Sequence, residues 1–186
     1  MTVSETALPG VRLIDLDVHE DDRGAFTELW NARDHGHHGL DTTFVQDNLS
    51  RSREGVLRGL HFQNPRPQGK LISVLKGEVY DVVVDVRAEA DTFGAWAGHA
   101  LSAENARQLY VPEGYAHGFA VTSGEALFHY KCTDFYHPEA DQTLRWDDPS
   151  LGIDWPVEDP VLSDKDATAP TLDEMPREAL RFDDVR

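Results

Sequence analysis

The sequence predicts an all-β fold, a β-sandwich or jelly-roll barrel, on three observations. Short runs of alternating or β-branched apolar residues recur at residues 11–18, 56–62, 71–75, 79–86, 115–122 and 126–133, which is the pattern of strands and not of helices. Turn signals stand between them: Lys76-Gly77, Pro112-Glu113-Gly114 and Ser123-Gly124. Helical periodicity is weak, confined to residues 102–107 and 172–180. Many short strands at near-regular spacing suit a sandwich or barrel.

Taken in order, residues 11–18 set Val11, Leu13, Leu16 and Val18 among charged neighbours, and residues 56–62 read VLRGLHF. Lys70 opens the strongly apolar run Leu71-Ile72-Ser73-Val74-Leu75 after a loop bearing Pro65 and Pro67. Residues 79–86 (VYDVVVDV) follow the Lys76-Gly77 turn, and the last two strands follow Gly114 and Gly124. The final forty residues hold twelve acids, four bases and Pro149, Pro156, Pro160, Pro170 and Pro176, so they are expected to wrap the barrel as an irregular tail with a solvated acidic surface.

A length of 186 residues fits one domain, 1–186, with one core. The start, MTVSETALPG, has neither a basic nor an apolar leader segment, and no run of about 18 apolar residues is present, so a soluble cytoplasmic protein with no membrane partner is expected. The single cysteine, Cys132, excludes an intramolecular disulfide framework and a multi-cysteine zinc site. The chain carries 34 acidic against 17 basic residues, a formal charge of −17, which disfavours nucleic acid as a partner. Residues 51–76 reverse that sign, with Arg51, Arg53, Arg58, Arg66, Lys70 and Lys76 against Glu54 alone. Such an island attracts an anionic ligand.

His61 lies inside the island. If Leu60 and Phe62 pack into one layer, period two turns His61 to the opposite face, which in a barrel can be the cavity. A neutral imidazole there can act as a general base, although a lone histidine is commonly just a hydrogen-bonded interior residue. Lys70 can reach the barrel mouth and stabilise an oxyanion, or be a solvated strand-end lysine. Arg58 can bind a phosphate bidentately or pair with a surface carboxylate. Tyr130 and Cys132 alternate along one strand as interior residues. Cys132 has no evident activating partner and reads as packing. The cluster around His35, His37 and His38 is interleaved with glycines and reads as a flexible loop, not a metal site.

The spacing Pro112-x-Gly114-x-x-His117 resembles the second cupin motif, in which that histidine ligates a metal. The first motif lacks its ligands here. Gln63 stands where a second histidine is needed, and Lys70, seven residues before Gly77, stands where a metal-binding Glu is expected. An ammonium repels a cation, so the expectation is a cupin-type jelly-roll barrel, a double-stranded β-helix, without a metal or other cofactor.

Longer motifs run in order along nearly the whole chain: Asp22-Arg23-Gly24-Ala25-Phe26-Thr27-Glu28, Gln46-Asp47-Asn48-Leu49-Ser50, Val56 to Gln63, Lys70-Leu71, Asp81 to Arg87, Pro112 to Phe119, Tyr130-Lys131-Cys132-Thr133, Trp155-Pro156 and Leu162 to Asp166. Together they resemble the RmlC family, the dTDP-4-dehydrorhamnose 3,5-epimerases and related sugar-nucleotide epimerases. The resemblance implies a dTDP-4-keto-6-deoxyhexose substrate whose C3 and C5 protons are acidified by the C4 ketone. It implies His61 as the base, Asp166 orienting that imidazole, Lys70 supporting the enolate oxygen and Tyr130 returning a proton to the opposite face. It further places Arg23, Phe26 and Glu28 near the nucleotide, from the partner subunit, and Gln46, Asn48 and Arg58 near the phosphates and sugar. Asp81 and His117 resemble a second polar pair lining the cavity, and Phe26 can equally be a core aromatic of the first hairpin. A homodimer formed by exchange of N-terminal strands follows from the same resemblance. A metal-dependent cupin, a non-catalytic sugar-nucleotide-binding barrel and an epimerase acting at C3 or C5 alone are the competing readings, and Tyr130 leans toward the double reaction.

Overall fold

Residue parity decides which side chains enter the barrel, and the computed structural model, which describes residues 1–182, shows that parity clearly. Its strands are β1 Thr2–Glu5, β2 Arg12–Asp15, β3 His19–Asp21, β4 Gly24–Phe26, β5 Gln46–Arg53, β6 Leu57–Gln63, β7 Lys70–Lys76, β8 Glu78–Asp85, β9 Trp96–Ser102, β10 Arg107–Val111, β11 Tyr115–Val121, β12 Glu125–Cys132 and β13 Asp141–Thr143. One sheet runs β1-β2-β10-β7-β12-β5 and a second β13-β6-β11-β8-β9, while β3 and β4 pair apart as a hairpin. The two large sheets make the all-β jelly roll expected from the strand pattern.

β8 illustrates the sorting. Val79 and Val83 point inward, where they pack with Ile72, Val74, Leu109, Phe119 and Phe128 between the sheets. Val82 and Val84 point outward with Leu60, Phe62 and Ala116, and this outer face is covered by Leu151, Leu172, Met175 and Leu180 of the tail. Each such fully buried side chain contributes about 1.5–3 kcal/mol of transfer free energy. Asp81 occupies an inward position between Val79 and Val83, so a carboxylate enters an otherwise apolar interior.

The tail is fastened by specific bonds. Trp96 Nε1 donates to the Leu151 carbonyl at 2.9 Å, Asp148 accepts from the Leu172 N–H at 2.7 Å, and Asn64 Nδ2 donates to the carbonyls of Ala179 and Arg181. These bonds bring a single helical turn, α2 Asp164–Ala167 (its order among the helices follows α1 Ala32–His37), back against β6. On the other flank β6 approaches β11 so closely that a Cβ on Gly59 would lie 2.5 Å from the Gly118 Cα, and Gly59 has φ +132°. Only glycine fits there.

Several local expectations are corrected. Residues 102–107 form a turn and not a helix, because Asn105 and Ser102 bond each other's backbone N–H groups and Ala106 adopts φ 48°, the competition that draws Asn and Ser into turns. Residues 172–180 form two 3₁₀ turns, Leu172–Glu174 and Arg177–Leu180. The expected strand 11–18 is trimmed to β2. The histidine-rich loop is the helix α1, N-capped by the Asn31 side chain, with His35 buried against Trp30 at 4.3 Å between ring centroids. The acidic Asp183 and Asp184 of the expected solvated end lie outside the described residues. Among the described residues, no helix is long and apolar enough to cross a membrane.

Candidate active site

The inward faces of β5, β6, β7, β11 and β12 enclose a cavity of about 450 Å³. His61 enters it because Leu60 and Phe62 are committed to the outer layer. Its Nε2 lies 2.6 Å from Asp166 Oδ1. The imidazole is 34% exposed and the carboxylate 4%, so the pair has one face on the cavity and its back in protein. Ser163, the cap of α2, donates its hydroxyl to Asp166 Oδ2 at 2.9 Å and accepts from the Asp166 N–H. Burial pushes the Asp166 carboxyl up, but the His61 hydrogen bond and charge, with Ser163 and Lys165, more than offset this and hold it below the usual carboxylate range. An ionised Asp166 on Nε2 favours the tautomer with its proton there, leaving Nδ1 with a free lone pair.

Lys70 shares the inward parity of Ile72 and Val74. It is buried, and its Nζ donates to the His61 carbonyl at 3.4 Å. Burial lowers its pKa, while the charges of Cys132, Asp141 and Asp81 pull the other way. Arg58 also lines the cavity although it shares the parity of Leu60 and Phe62, because the register of β6 against β11 shifts between Arg58 and His61, and it donates to Ser52 Oγ at 3.0 Å. Neither cation forms an ion pair among the described residues, which leaves both available to an anionic ligand.

Tyr130 projects from β12 of the six-stranded sheet, whereas His61 projects from β6 of the five-stranded sheet. The two therefore face the same space from opposite walls. Burial pushes the Tyr130 phenol up, helped by Cys132 and opposed by Arg58, so it stays protonated well into alkaline solution. His117 lines the cavity with Asp81 behind it, Nε2 lying 2.9 Å from both carboxylate oxygens. Burial, with the charges of Lys70 and His61, lowers its pKa against the pull of Asp81, so a neutral imidazole faces the cavity near neutral pH. Cys132 also lines the wall. Burial raises its thiol despite Lys70 and the Asn48 amide, which suits a packing role.

Gln46 and Asn48 complete the β5 wall. Arg23, Phe26 and Glu28 do not join them. All three sit on or just after the β3–β4 hairpin: Arg23 is paired with Asp21, Phe26 is 67% exposed and so is no core aromatic, and Glu28 accepts from Asn31 Nδ2. The cavity also recruits residues that the sequence reading did not single out. Lys165 and the Tyr136 hydroxyl both donate to Asp141 Oδ2, at 2.5 and 3.2 Å, and the one sequence signal for Lys165 is its place beside Asp166. Phe119 and Phe128 were legible as the inward neighbours, two residues away, of His117 and Tyr130. Among the described residues, no three histidine, cysteine or acidic side chains converge in a way that could hold a metal ion.

Comparison with known proteins adds an independent line. Residues 5–174 match the family described as dTDP-4-dehydrorhamnose 3,5-epimerase. A protein of that name from Methanothermobacter thermautotrophicus is 50% identical over 175 residues, 92% of this chain and 95% of that one. The crystal structure of dTDP-6-deoxy-D-glucose-3,5-epimerase RmlC from Legionella pneumophila, in complex with dTDP-4-keto-L-rhamnose, superposes with a TM-score of 0.94 at 48% identity, covering 98% of both chains. ChmJ, a 3'-monoepimerase from Streptomyces bikiniensis in complex with dTDP-quinovose, is more distant, at 33% identity and a TM-score of 0.88 over 95% of this chain and 90% of that one.

Proposed function

The chain belongs to the dTDP-4-dehydrorhamnose 3,5-epimerase family, and from that premise we propose that it converts dTDP-4-keto-6-deoxy-D-glucose into dTDP-4-keto-L-rhamnose with the residues of this cavity. The observation that carries the assignment of roles is the opposition of His61 and Tyr130. Inversion at a carbon needs one group to remove a proton and another to return one from the far side, and a single residue would restore the original configuration.

In each half of the reaction His61 Nδ1 takes the proton from C3 or C5, and the C–H electron pair moves through the carbon–carbon bond onto O4. Lys70 stabilises the resulting enolate oxygen. Tyr130 then gives its proton to the same carbon from the opposite face. Asp166 holds the imidazole in the required tautomer and stabilises the imidazolium that forms. Before the second carbon can react, His61 must lose its proton and Tyr130 must regain one. That exchange requires water, so solvent hydrogen should enter at both centres. Arg58, with Gln46 and Asn48, suits the diphosphate and sugar, and Asp81 with His117 holds a neutral donor or acceptor against the ring.

We propose further that residues 1–186 act as one domain within a cytoplasmic homodimer. A two-stranded hairpin is marginal by itself in water, and β3–β4 carries the exposed Phe26 together with Arg23. Delivery of Arg23, Phe26 and Glu28 to a second copy's cavity would cover that surface. The single free, buried Cys132 is compatible with a reducing compartment.

The direct test is incubation with dTDP-4-keto-6-deoxyglucose in D2O, followed by NMR. Deuterium is expected at both C3 and C5, with dTDP-4-keto-L-rhamnose as the product. Exchange at one carbon alone would replace this reading with that of a monoepimerase, and no exchange would remove it.

Lys70 gives a second expectation. Lys70→Met should lower kcat about 10²–10³-fold, the usual loss for an oxyanion-stabilising group. The ammonium is the working form and burial lowers its pKa. Wild-type activity should therefore fall as pH rises through a value below the ordinary lysine pKa of about 10.4, while Tyr130, shifted upward, is still protonated. Persistence of the same alkaline limb in Lys70→Met would assign it to another group.

A further inference from the structure

The barrel interior holds a titratable group that the cavity chemistry does not use. His99 stands on β9, the edge strand of the five-stranded sheet, and shares the inward parity of Ala97 and Leu101, which pack into the apolar interior. An imidazole at such a position gives up hydration that an aliphatic side chain never had. Its Nε2 is buried and has no hydrogen-bond partner among the described residues, while the residue as a whole stays partly exposed. Its register partner on β8 is Asp81, so the two side chains start about 4.5–5.5 Å apart at Cβ on one face of the sheet.

Asp81 therefore lies between two histidines. On one side His117 Nε2 is 2.9 Å from both carboxylate oxygens, and it is the one donor to this fully buried carboxylate among the described residues. On the other side stands the unpartnered ring of His99. The two imidazoles compete for any proton that acid brings to this carboxylate, and their surroundings decide between them. His117 is 7% exposed and faces Lys70 and His61 as well as Asp81. His99 is more open. The charges that act on it are Asp81 and Arg107 of β10, and that guanidinium is paired with Asp15 of β2 at 2.8 Å. β7, the other strand packed on β9, turns the uncharged Ile72 and Val74 inward. Burial lowers the pKa of both imidazoles, but His117 also bears the repulsion of the Lys70 ammonium within the cavity. The first proton therefore goes to His99. Once there, it opposes a second proton on His117.

We propose that His99 is a positioning residue for the epimerase, the outer member of a buried His117–Asp81–His99 array, which takes the proton that acid would otherwise place on His117 and so keeps a neutral imidazole against the sugar. The inference rests on the proposed reaction for the sugar that His117 faces, and on the barrel alone for the order of protonation.

The experiment follows the histidine ring signals by NMR in isotope-labelled protein as the pH is lowered, and measures kcat/KM for dTDP-4-keto-6-deoxyglucose over the same range. In the wild-type protein His99 should protonate first, with a midpoint below the ordinary histidine value of about 6.5, while His117 keeps its Nε2–H tautomer. In His99→Gln and His99→Val alike, His117 should take its proton about one pH unit higher than in wild type, the scale on which neighbouring histidines titrate as a pair. On the acid side kcat/KM should then fall up to about tenfold further in both variants, the rate equivalent of that change. The titration of His61 is common to all three proteins and cancels in the comparison. Glutamine keeps the polarity and valine the apolar shape, so agreement between them assigns the effect to the missing proton site and not to packing, with circular dichroism checking both folds. An unchanged His117 titration in either folded variant would overturn the array. So would a wild-type His99 that protonates after His117 or stays neutral until the protein unfolds. Loss of activity in His99→Val with wild-type behaviour in His99→Gln would make His99 a packing residue. Absence of wild-type turnover would overturn the reaction and not the array, which the titration decides by itself.

Discussion

His61→Ala should lose deuterium incorporation at C3 and C5 together, by about 10²–10⁴-fold, the contribution expected of a general base. Both carbons should suffer because one imidazole faces the whole cavity and no second histidine occupies an equivalent position: His117 is directed onto Asp81 by contacts of 2.9 Å. The fold should persist, since the His61 ring is 34% exposed and only its neighbours Leu60 and Phe62 belong to the packed layer. Asp166→Asn tests the other half of the pair. An amide on Nε2 can donate as well as accept, so the tautomer with a bare Nδ1 loses its preference and the imidazolium loses its counter-charge. Turnover should fall in both variants while circular dichroism stays unchanged. Wild-type rates in either intact variant would dissolve the proposed pair.

The geometry behind that prediction was only partly legible in the sequence. The inward direction of His61 follows from Leu60 and Phe62 by parity alone, and Lys70 follows likewise from Ile72 and Val74. Those strands sit in sheet interiors, where burial writes a strong apolar pattern. β5 is different: it reads QDNLSRSR and lies at a sheet edge with every second residue exposed, so Gln46 and Asn48 carry no local strand signal. Asp166 is 105 residues from His61, and nothing local marks it among the other acids of the tail. Its placement depends on the tail's attachments to β6 and β9, which are tertiary and thus invisible to periodicity, and only the family resemblance singled it out. The same limit explains α1, where Gly36 and Gly39 suggested a loop while the Asn31 cap and the burial of His35 sustain a helical turn.

Tyr130→Phe separates proton removal from proton return, and the two should come apart. His61, Asp166 and Lys70 all remain, so the C–H bonds at C3 and C5 can still be broken and the enolate still held. What disappears is the donor on the six-stranded wall. The imidazolium, having exchanged its proton with D2O through its exposed face, is then the group placed to give deuterium back, and it does so from the side on which the proton left. Deuterium should therefore enter the recovered dTDP-4-keto-6-deoxyglucose with its configuration retained, while formation of dTDP-4-keto-L-rhamnose falls by about 10²–10⁴-fold. Phenylalanine keeps the ring and its packing against Phe128 at 6.0 Å, so a general loss of structure is not expected. NMR of the sugar after incubation reads both quantities from one sample, because label position and ring configuration are resolved separately. Unimpaired inversion in this variant would show that the second proton comes from elsewhere, with His117 or water as the groups to examine. Loss of exchange together with inversion would make Tyr130 part of the enolisation step itself and not the donor that follows it.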